Sequence, residues 1–441
     1  MTAACLAQSI MGFTATEWWT MAVAVCCSVA CGVIGCFLVL RRLSLLGDAI
    51  SHAILPGIAV AFMVTDSRAP LPMLAGALAV GLLTAVLSSG LHRWGRVPED
   101  AAMGVVFATL FAIGVMLIAM VAHEVDLDPG CVLYGNLELA GADLAPIGGV
   151  EVPRALLTLG PVLLLNVAVV AVFFKELKIV SFDPALAATM GISVALVHYT
   201  LMTLVAATCV ASFEAVGSVL VIAMLVAPGA TAHLLTDRLS RMLWIAAAVA
   251  ASAGVIGYIL AAQLSTYVAG MVGAVAGGEF FLAALFAPRH GFVSKVVHRV
   301  ALALRIDRED VLGMLYRWHE RARETPKARP LAAADVVAGV AGGWVTRTAV
   351  WSLRRSGAVA SSDESGLTLT EAGITEARGI IRSHRLWETY LAKHLGLPPD
   401  HLHQPSHRAE HFISPEMQEA LDREADRARD PHGREIPPAT R

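Results

Sequence analysis

The sequence predicts an all-α polytopic membrane bundle of about eight or nine transmembrane helices, followed by a winged helix-turn-helix and a second helical domain. Three observations predict it. Of 441 residues, 56% are hydrophobic and 16% charged, with a mean hydropathy of +0.65, whereas an ordinary soluble domain carries roughly 25% charge. The charge is unevenly placed: residues 1–288 hold 10 Lys and Arg with 16 Asp and Glu, while residues 289–441 hold 23 and 20. The apolar part repeatedly offers runs of about 20 residues, the length that crosses a hydrocarbon core as a helix. These features exclude a wholly soluble globular protein, and the formal net charge of -3 averages two unlike regions.

The apolar runs fall at 17–40, 44–64, 70–91, 101–122, 152–174, 192–211, 215–235, 241–262 and 266–287. That gives nine candidates. Only Ser212, Phe213 and Glu214 separate two of them, so one broken helix there gives eight. The first run follows a segment without Lys or Arg and therefore lacks the basic start of a cleaved signal peptide. With nine spans and the charged tail inside, Arg41, Arg42, Arg93, Arg96, Lys175, Lys178, Arg238 and Arg241 lie on the inner side, against Arg68 and Arg154 outside. This obeys the positive-inside rule and puts the acidic loop 123–150 outside. All seven cysteines sit in the apolar part without CxxC spacing. They read as packing residues, and a tail free of cysteine fits a reducing compartment.

Ionisable residues inside such runs are expensive, about 2.5–3.5 kcal/mol at a helix centre. Asp48 and His52 are four apart in LGDAISHA, which puts a carboxylate and an imidazole on one helix face. Two readings are open: a divalent-cation pair, or a hydrogen bond between packed helices. The following Pro56-Gly57 marks a local break. His198 reads as an interhelical hydrogen-bonder, Glu214 as a marker of an outer turn, and Glu279 as either a pathway residue or a packing contact. In the inner loop 175–191, Asp183 can cap a short helix beginning at Pro184 and ending at Gly191, with Phe182 just before it. An amphipathic helix of this kind suits docking into a groove of a soluble partner or lying on the membrane surface.

Together RRLSLLGDAISHAILPGIAVAF (41–62), KELKIVSFDPALAATMGI (175–192), VASFEAVGSVLVIAMLVAPGATAHLLTDRLSRML (210–243) and FAPRHG (286–291) resemble the membrane permeases of ATP-binding-cassette importers for manganese, zinc and iron. The resemblance spans nearly all of residues 17–291, so a permease domain is expected over 1–291. It implies that Asp48 and His52 lie on the metal path. It also implies that the segment at Phe182, Asp183 and Pro184 couples to an ATPase. A P-loop needs GxxxxGK[ST], and no lysine of this chain follows a glycine, so the resemblance implies a separate ATPase subunit. An extracytoplasmic metal-binding protein and a second permease subunit follow from it as well. Glu279 stands where the family has an apolar residue.

In the tail, Arg289 to Arg305 reads as an amphipathic connector, and Glu309 to Glu324 is helical, with Leu312, Leu315 and Trp318 at helical spacing. Ala332–Val340 and Gly343–Ser356 form a helix, Gly-Gly turn, helix pair, and 357–370 a β-wing. This is a winged helix-turn-helix over 306–370, whose second helix offers Trp344, Thr346, Arg347, Thr348, Arg354 and Arg355 as a modest basic face. In the remaining 371–441, His384, Glu388, His394, His401, His403, His407, Glu410 and His411 fall close together. His407, Glu410 and His411 share one helix face, and imidazole with carboxylate suits Mn²⁺, Fe²⁺ or Zn²⁺.

SHRLWETYL (383–391), LHQPSHRAEHFISPEMQEAL (402–421) and DPHGREIPP (430–438) resemble the diphtheria-toxin-repressor family of metal-dependent regulators. The resemblance implies a cytoplasmic helical metal-binding and dimerisation domain. Position by position it makes His384, Glu388, His403, Glu410 and His411 metal ligands. His407 falls at a ligand position that holds Cys or Glu in that family, and Asp310 matches an N-terminal ligand. Gly313 stands where manganese regulators have a carboxylate.

The expectation is therefore a permease subunit of an importer for divalent manganese, iron or zinc in the cytoplasmic membrane, with a cytoplasmic metal-sensing domain. The alternative is a membrane-tethered metal-dependent transcriptional regulator that binds DNA. HExxH and GxSxG do not occur in the chain, which disfavours an intramembrane hydrolase.

Overall fold

The computed structural model describes residues 14–43, 46–66, 70–121, 135–147, 150–324, 330–340, 342–361, 366–425 and 429–439. The side chains of Asp48, His52 and Glu214, the residues Cys5 and Cys131, and half of loop 123–150 lie outside the described residues. The chain forms two compact units, Met1–Ser294 and Lys295–Arg441.

The first unit is a helical bundle: α1 (Ala15–Leu40), α2 (Leu46–Ala53), α3 (Leu55–Thr65), α4 (Pro70–Gly95), α5 (Glu99–Val121), α6 (Leu137–Ala140), a hairpin of β1 (Leu144–Ile147) and β2 (Val150–Pro153), α7 (Arg154–Val172), α8 (Phe174–Phe182), α9 (Pro184–Thr189), α10 (Val194–Leu235), α11 (Leu239–Leu264) and α12 (Val268–Phe286). Thr14 and Glu17 close a capping box at the start of α1, satisfying amides that the first turn leaves without partners. From there α1 runs through the bundle centre. A Cβ on Gly35 would meet the carbonyl of Leu225 at 1.9 Å, so glycine lets α1 and α10 touch backbone to backbone.

Eight helices among the described residues are long and apolar enough to cross a membrane. Eight lies within the expected eight or nine; the run that drops from the nine candidates is 44–64, which divides into α2 and α3. Pro56 falls at the start of α3, and its ring cannot donate into a continuing helix. The suspected break near Glu214 does occur, at Gly217 with φ 75° and ψ 167°, but both arms of α10 are long enough to span. Buried polar groups tie the helices together: Asn166 donates to Thr208 (2.8 Å) and to the Ala30 carbonyl (3.3 Å). His198 lies 3.1 Å from Arg41 and 3.2 Å from Ser89, an interhelical hydrogen-bonder as expected. Cys26, Cys27, Cys31 and Cys36 are free thiols.

The second unit contains most of α13 (Phe292–Glu324), then β3 (Leu331–Ala332), α14 (Ala333–Gly339), α15 (Gly343–Arg355), β4 (Val359–Ser361), β5 (Gly366–Leu369), α16 (Glu371–Leu395), α17 (His403–Ala409) and α18 (Pro415–Glu424). The sheet has order β3-β5-β4, all antiparallel, with Leu331 opposite Leu367 and Val359 opposite Leu369. This is the element order expected of a winged helix-turn-helix. The connector and the 309–324 helix are one helix. No proline lies between 292 and 324, so nothing stops the helix at Arg305. Val311, Leu312 and Leu315 of α13 pack with Val336, Leu353, Val359, Leu367 and Ala377 in one core. Thr346 is not part of an exposed basic face: it is buried and donates to Asp307 at 2.6 Å.

Candidate metal centre

Three elements build the site. On α16, capped by Thr370, the i,i+4 pair His384 and Glu388 faces inward and is almost wholly buried. On α13, Asp310 immediately precedes the core residues Val311 and Leu312. From α17 come His403 and His407, after which the chain tightens into a 3-10 turn at Glu410–Phe412. Spacing predicts one α-helical face for His407, Glu410 and His411; the tighter turn still brings them together.

Two clusters result. One ligand atom each from Asp310, His407, Glu410 and His411 lie within 4.8 Å of one another, as do those of His384, Glu388 and His403. Every ligand expected in the tail therefore falls in one cluster or the other. In the carboxylate-rich cluster, His407 Nδ1 is 2.9 Å from Glu410 Oε1, and His411 Nε2 is 3.3 Å from Asp310 Oδ1. Asp310 Oδ1 is buried and accepts no hydrogen bond among the described residues. Its nearest partner is the His411 imidazole at 3.3 Å; a buried carboxylate oxygen without a well-formed hydrogen bond is costly, and a divalent cation is a partner this donor set fits. In the imidazole-rich cluster, His384 Nε2 is 3.0 Å from Glu388 Oε1 and 3.1 Å from His403 Nδ1. His432 Nε2 stands 3.9 Å from the same Glu388 oxygen. A cleft of about 570 Å³, lined by Asp310, His384, Glu388, His403 and His432, opens onto the clusters.

Each buried imidazole has a carboxylate behind it. His411 Nδ1 donates to Glu309 Oε2 at 2.7 Å, which leaves Nε2 for the cluster. His384 Nδ1 donates to Glu410 Oε2 at 2.5 Å, and its Nε2 faces Glu388 and His403. Such outer partners fix tautomer and ring orientation in metal sites. Glu309 is absent from the sequence expectation, although it stands beside Asp310. Burial pulls the His411 pKa down, but Asp310, Glu309 and Glu410 outweigh it and raise it to about 9. Burial raises Glu410, yet hydrogen bonds from His384 and His407 hold its carboxyl at about 2. His394 pairs instead with Glu424 at 2.7 Å. The DPHGREIPP segment is a clamp: Arg382 and Arg385 on α16 donate to the carbonyls of Pro437 and Glu435, and Asp430 accepts from the amides of His432 and Arg434.

In the first unit, Asp48 and His52 lie on α2 one turn apart. Asp183 Oδ1 accepts from the Leu186 amide at 2.9 Å and caps α9, as expected, and Gly191 follows with φ 80°. Phe182, Asp183 and Pro184 are exposed. Glu279 accepts from Ser252 at 2.7 Å, across α11 and α12.

The fold and site define a multi-pass membrane protein carrying a tail of helices and a three-stranded sheet with clustered metal-ligand side chains. The chain belongs to the ABC 3 transport family, which it matches over residues 15–287. Residues 370–438 match the iron dependent repressor metal binding and dimerisation domain. The chain is 46% identical over 280 residues to the manganese transport system membrane protein MntD of Bacillus subtilis, covering 63% of this chain and 95% of that one. It is 38% identical over 285 residues to the zinc transport system membrane protein TroD of Treponema pallidum, covering 65% and 78%. Among solved structures, PsaBC from Streptococcus pneumoniae superposes with a TM-score of 0.55 at 28% identity, over 67% of this chain and all of that one.

Proposed function

We propose that this chain is the permease subunit of an ATP-driven importer for a divalent transition metal, manganese, iron or zinc, and that its cytoplasmic tail senses the imported ion. The observation that carries this reading is the convergence of Asp310, His407, Glu410 and His411 in a chain whose other part belongs to a transport family. The manganese and zinc systems of its relatives support the cargo class. Asp48 and His52 receive the cargo on its path. The exposed knob at Phe182, Asp183 and Pro184 docks into a separate ATPase subunit. A second permease subunit completes the pore, and an extracytoplasmic binding protein delivers the ion.

Within the tail, Asp310, His407, Glu410 and His411 hold one sensor ion, and His384, Glu388 and His403 hold another. The ion supplies cationic charge that draws α13, α16 and α17 together. Feedback follows if the arrangement that binds metal more tightly is the one that does not transport. Tenfold inhibition needs about 1.4 kcal/mol of differential affinity. A second reading, a membrane-tethered regulator that binds DNA, is favoured by one feature: Trp344, Arg347, Arg354 and Arg355 on α15 are exposed.

The test is metal uptake in cells that depend on this chain. Asp48→Ala and His52→Ala variants present in the membrane at normal levels are expected to lose uptake. Normal uptake by both would remove these residues from the path.

A further inference from the structure

The first part of α13 has a surface that neither the permease nor the sensor uses. Phe292, Val293, Val296, Val297, Val300 and Leu304 recur at helical spacing and at 100° per residue fall within an arc of roughly 140°. Lys295, His298, Arg299 and Arg305 fall outside that arc. Four of the six are exposed, Phe292 at 65% and Val297 at 61% the most, and Val300 and Leu304 are half-buried. Water is a poor environment for a continuous stripe of this kind, in contrast to scattered exposed apolar residues.

Two further facts identify what covers it. The stretch begins six residues after α12 ends at Phe286, the last helix able to span a membrane. It also carries one sign of charge, because no Asp or Glu occurs from Phe280 to Ile306. Arg289 is engaged by Asp237 and Arg305 by Glu309. Lys295 and Arg299 are the cations of this stretch without an ion pair among the described residues, and both lie along the Phe292 edge of the apolar arc. An apolar stripe bordered by cations beside the end of a span is the pattern of a helix lying in the headgroup region of an anionic membrane.

We propose that residues 292–305 form an interfacial helix that binds the anionic phospholipid surface of the membrane this chain spans. The valine stripe enters the boundary between headgroups and acyl chains, and Lys295 and Arg299 meet the phosphates.

The experiment uses the full chain, reconstituted into vesicles of phosphatidylcholine with phosphatidylglycerol or of phosphatidylcholine alone. A photoreactive benzophenone amino acid replaces Val297 in one preparation and His298 in another. Crosslinking from position 297 is expected to give lipid adducts, with much lower yield from 298. The yield from 297 is expected to be roughly fivefold higher with phosphatidylglycerol and to fall in high salt, where surface charge is screened. A Lys295→Glu, Arg299→Glu variant is expected to lose that lipid dependence. Protein adducts in place of lipid adducts at 297 would make the stripe a protein-docking face and overturn the proposal. Equal lipid yields from 297 and 298, or yields indifferent to phosphatidylglycerol, would overturn it too.

Discussion

The two clusters of the tail solve the same problem with different chemistry. The carboxylate-rich cluster offers Asp310 and Glu410 with two imidazoles, so a divalent ion held there is neutralised. The imidazole-rich cluster offers only Glu388 with two imidazoles, and the His403 side chain is 58% exposed. Harder ions such as Mn²⁺ favour the first set and nitrogen-preferring ions the second. Their support also differs. His411 is oriented by Glu309, which lies outside both clusters, whereas His384 is oriented by Glu410, which belongs to the other cluster. The imidazole-rich cluster therefore depends on a ligand of the carboxylate-rich one and Glu410 in turn on His384, whereas Glu309 serves the carboxylate-rich cluster alone.

That asymmetry can be broken with single substitutions. The largest effect is expected from Glu410→Ala, which removes a ligand from one cluster and the orienting group from the other. Calorimetric titration with manganese should show tight binding lost and the second event weakened as well; an intact second event would separate the clusters. Next, Glu309→Gln should weaken only the tighter event, by the roughly 10–100-fold typical of outer partners. A change confined to the weaker event would contradict the assignment.

The smallest effect is a pH dependence. Below about 9, His411 carries a proton that an ion must displace, while Glu410, held near 2, stays ionised. Affinity in the carboxylate-rich cluster should therefore fall about tenfold for each unit that pH drops below 9, with one proton released per ion. Titrations in buffers of different ionisation enthalpy measure that proton directly. A flat profile between pH 6 and 8 would show that His411 is not a ligand.

Much of this was legible in the sequence because it rests on local spacing. His384 and Glu388 are one turn apart on an amphipathic helix, and Asp183-Pro184 is a helix start by its own chemistry. Glu309 was not legible, since a glutamate beside another acid on a half-buried helix reads as a solvated face. Its role depends on His411, 102 residues away. Thr346 was misassigned for the same reason: its place in the recognition helix points outward only until Asp307 is known to lie beneath it. The choice between eight and nine spans was not legible, because composition sees a continuous apolar run at 44–64 where the helix divides just before Pro56.

The central claim, a sensor joined to the pore it regulates, is tested most directly by uptake at rising internal metal. Intact protein is compared with a Glu410→Ala, His411→Ala variant present at equal levels in the membrane. The intact protein should slow by about tenfold as the tail fills, and the variant should continue at its initial rate. Superimposable uptake curves would contradict feedback by the tail.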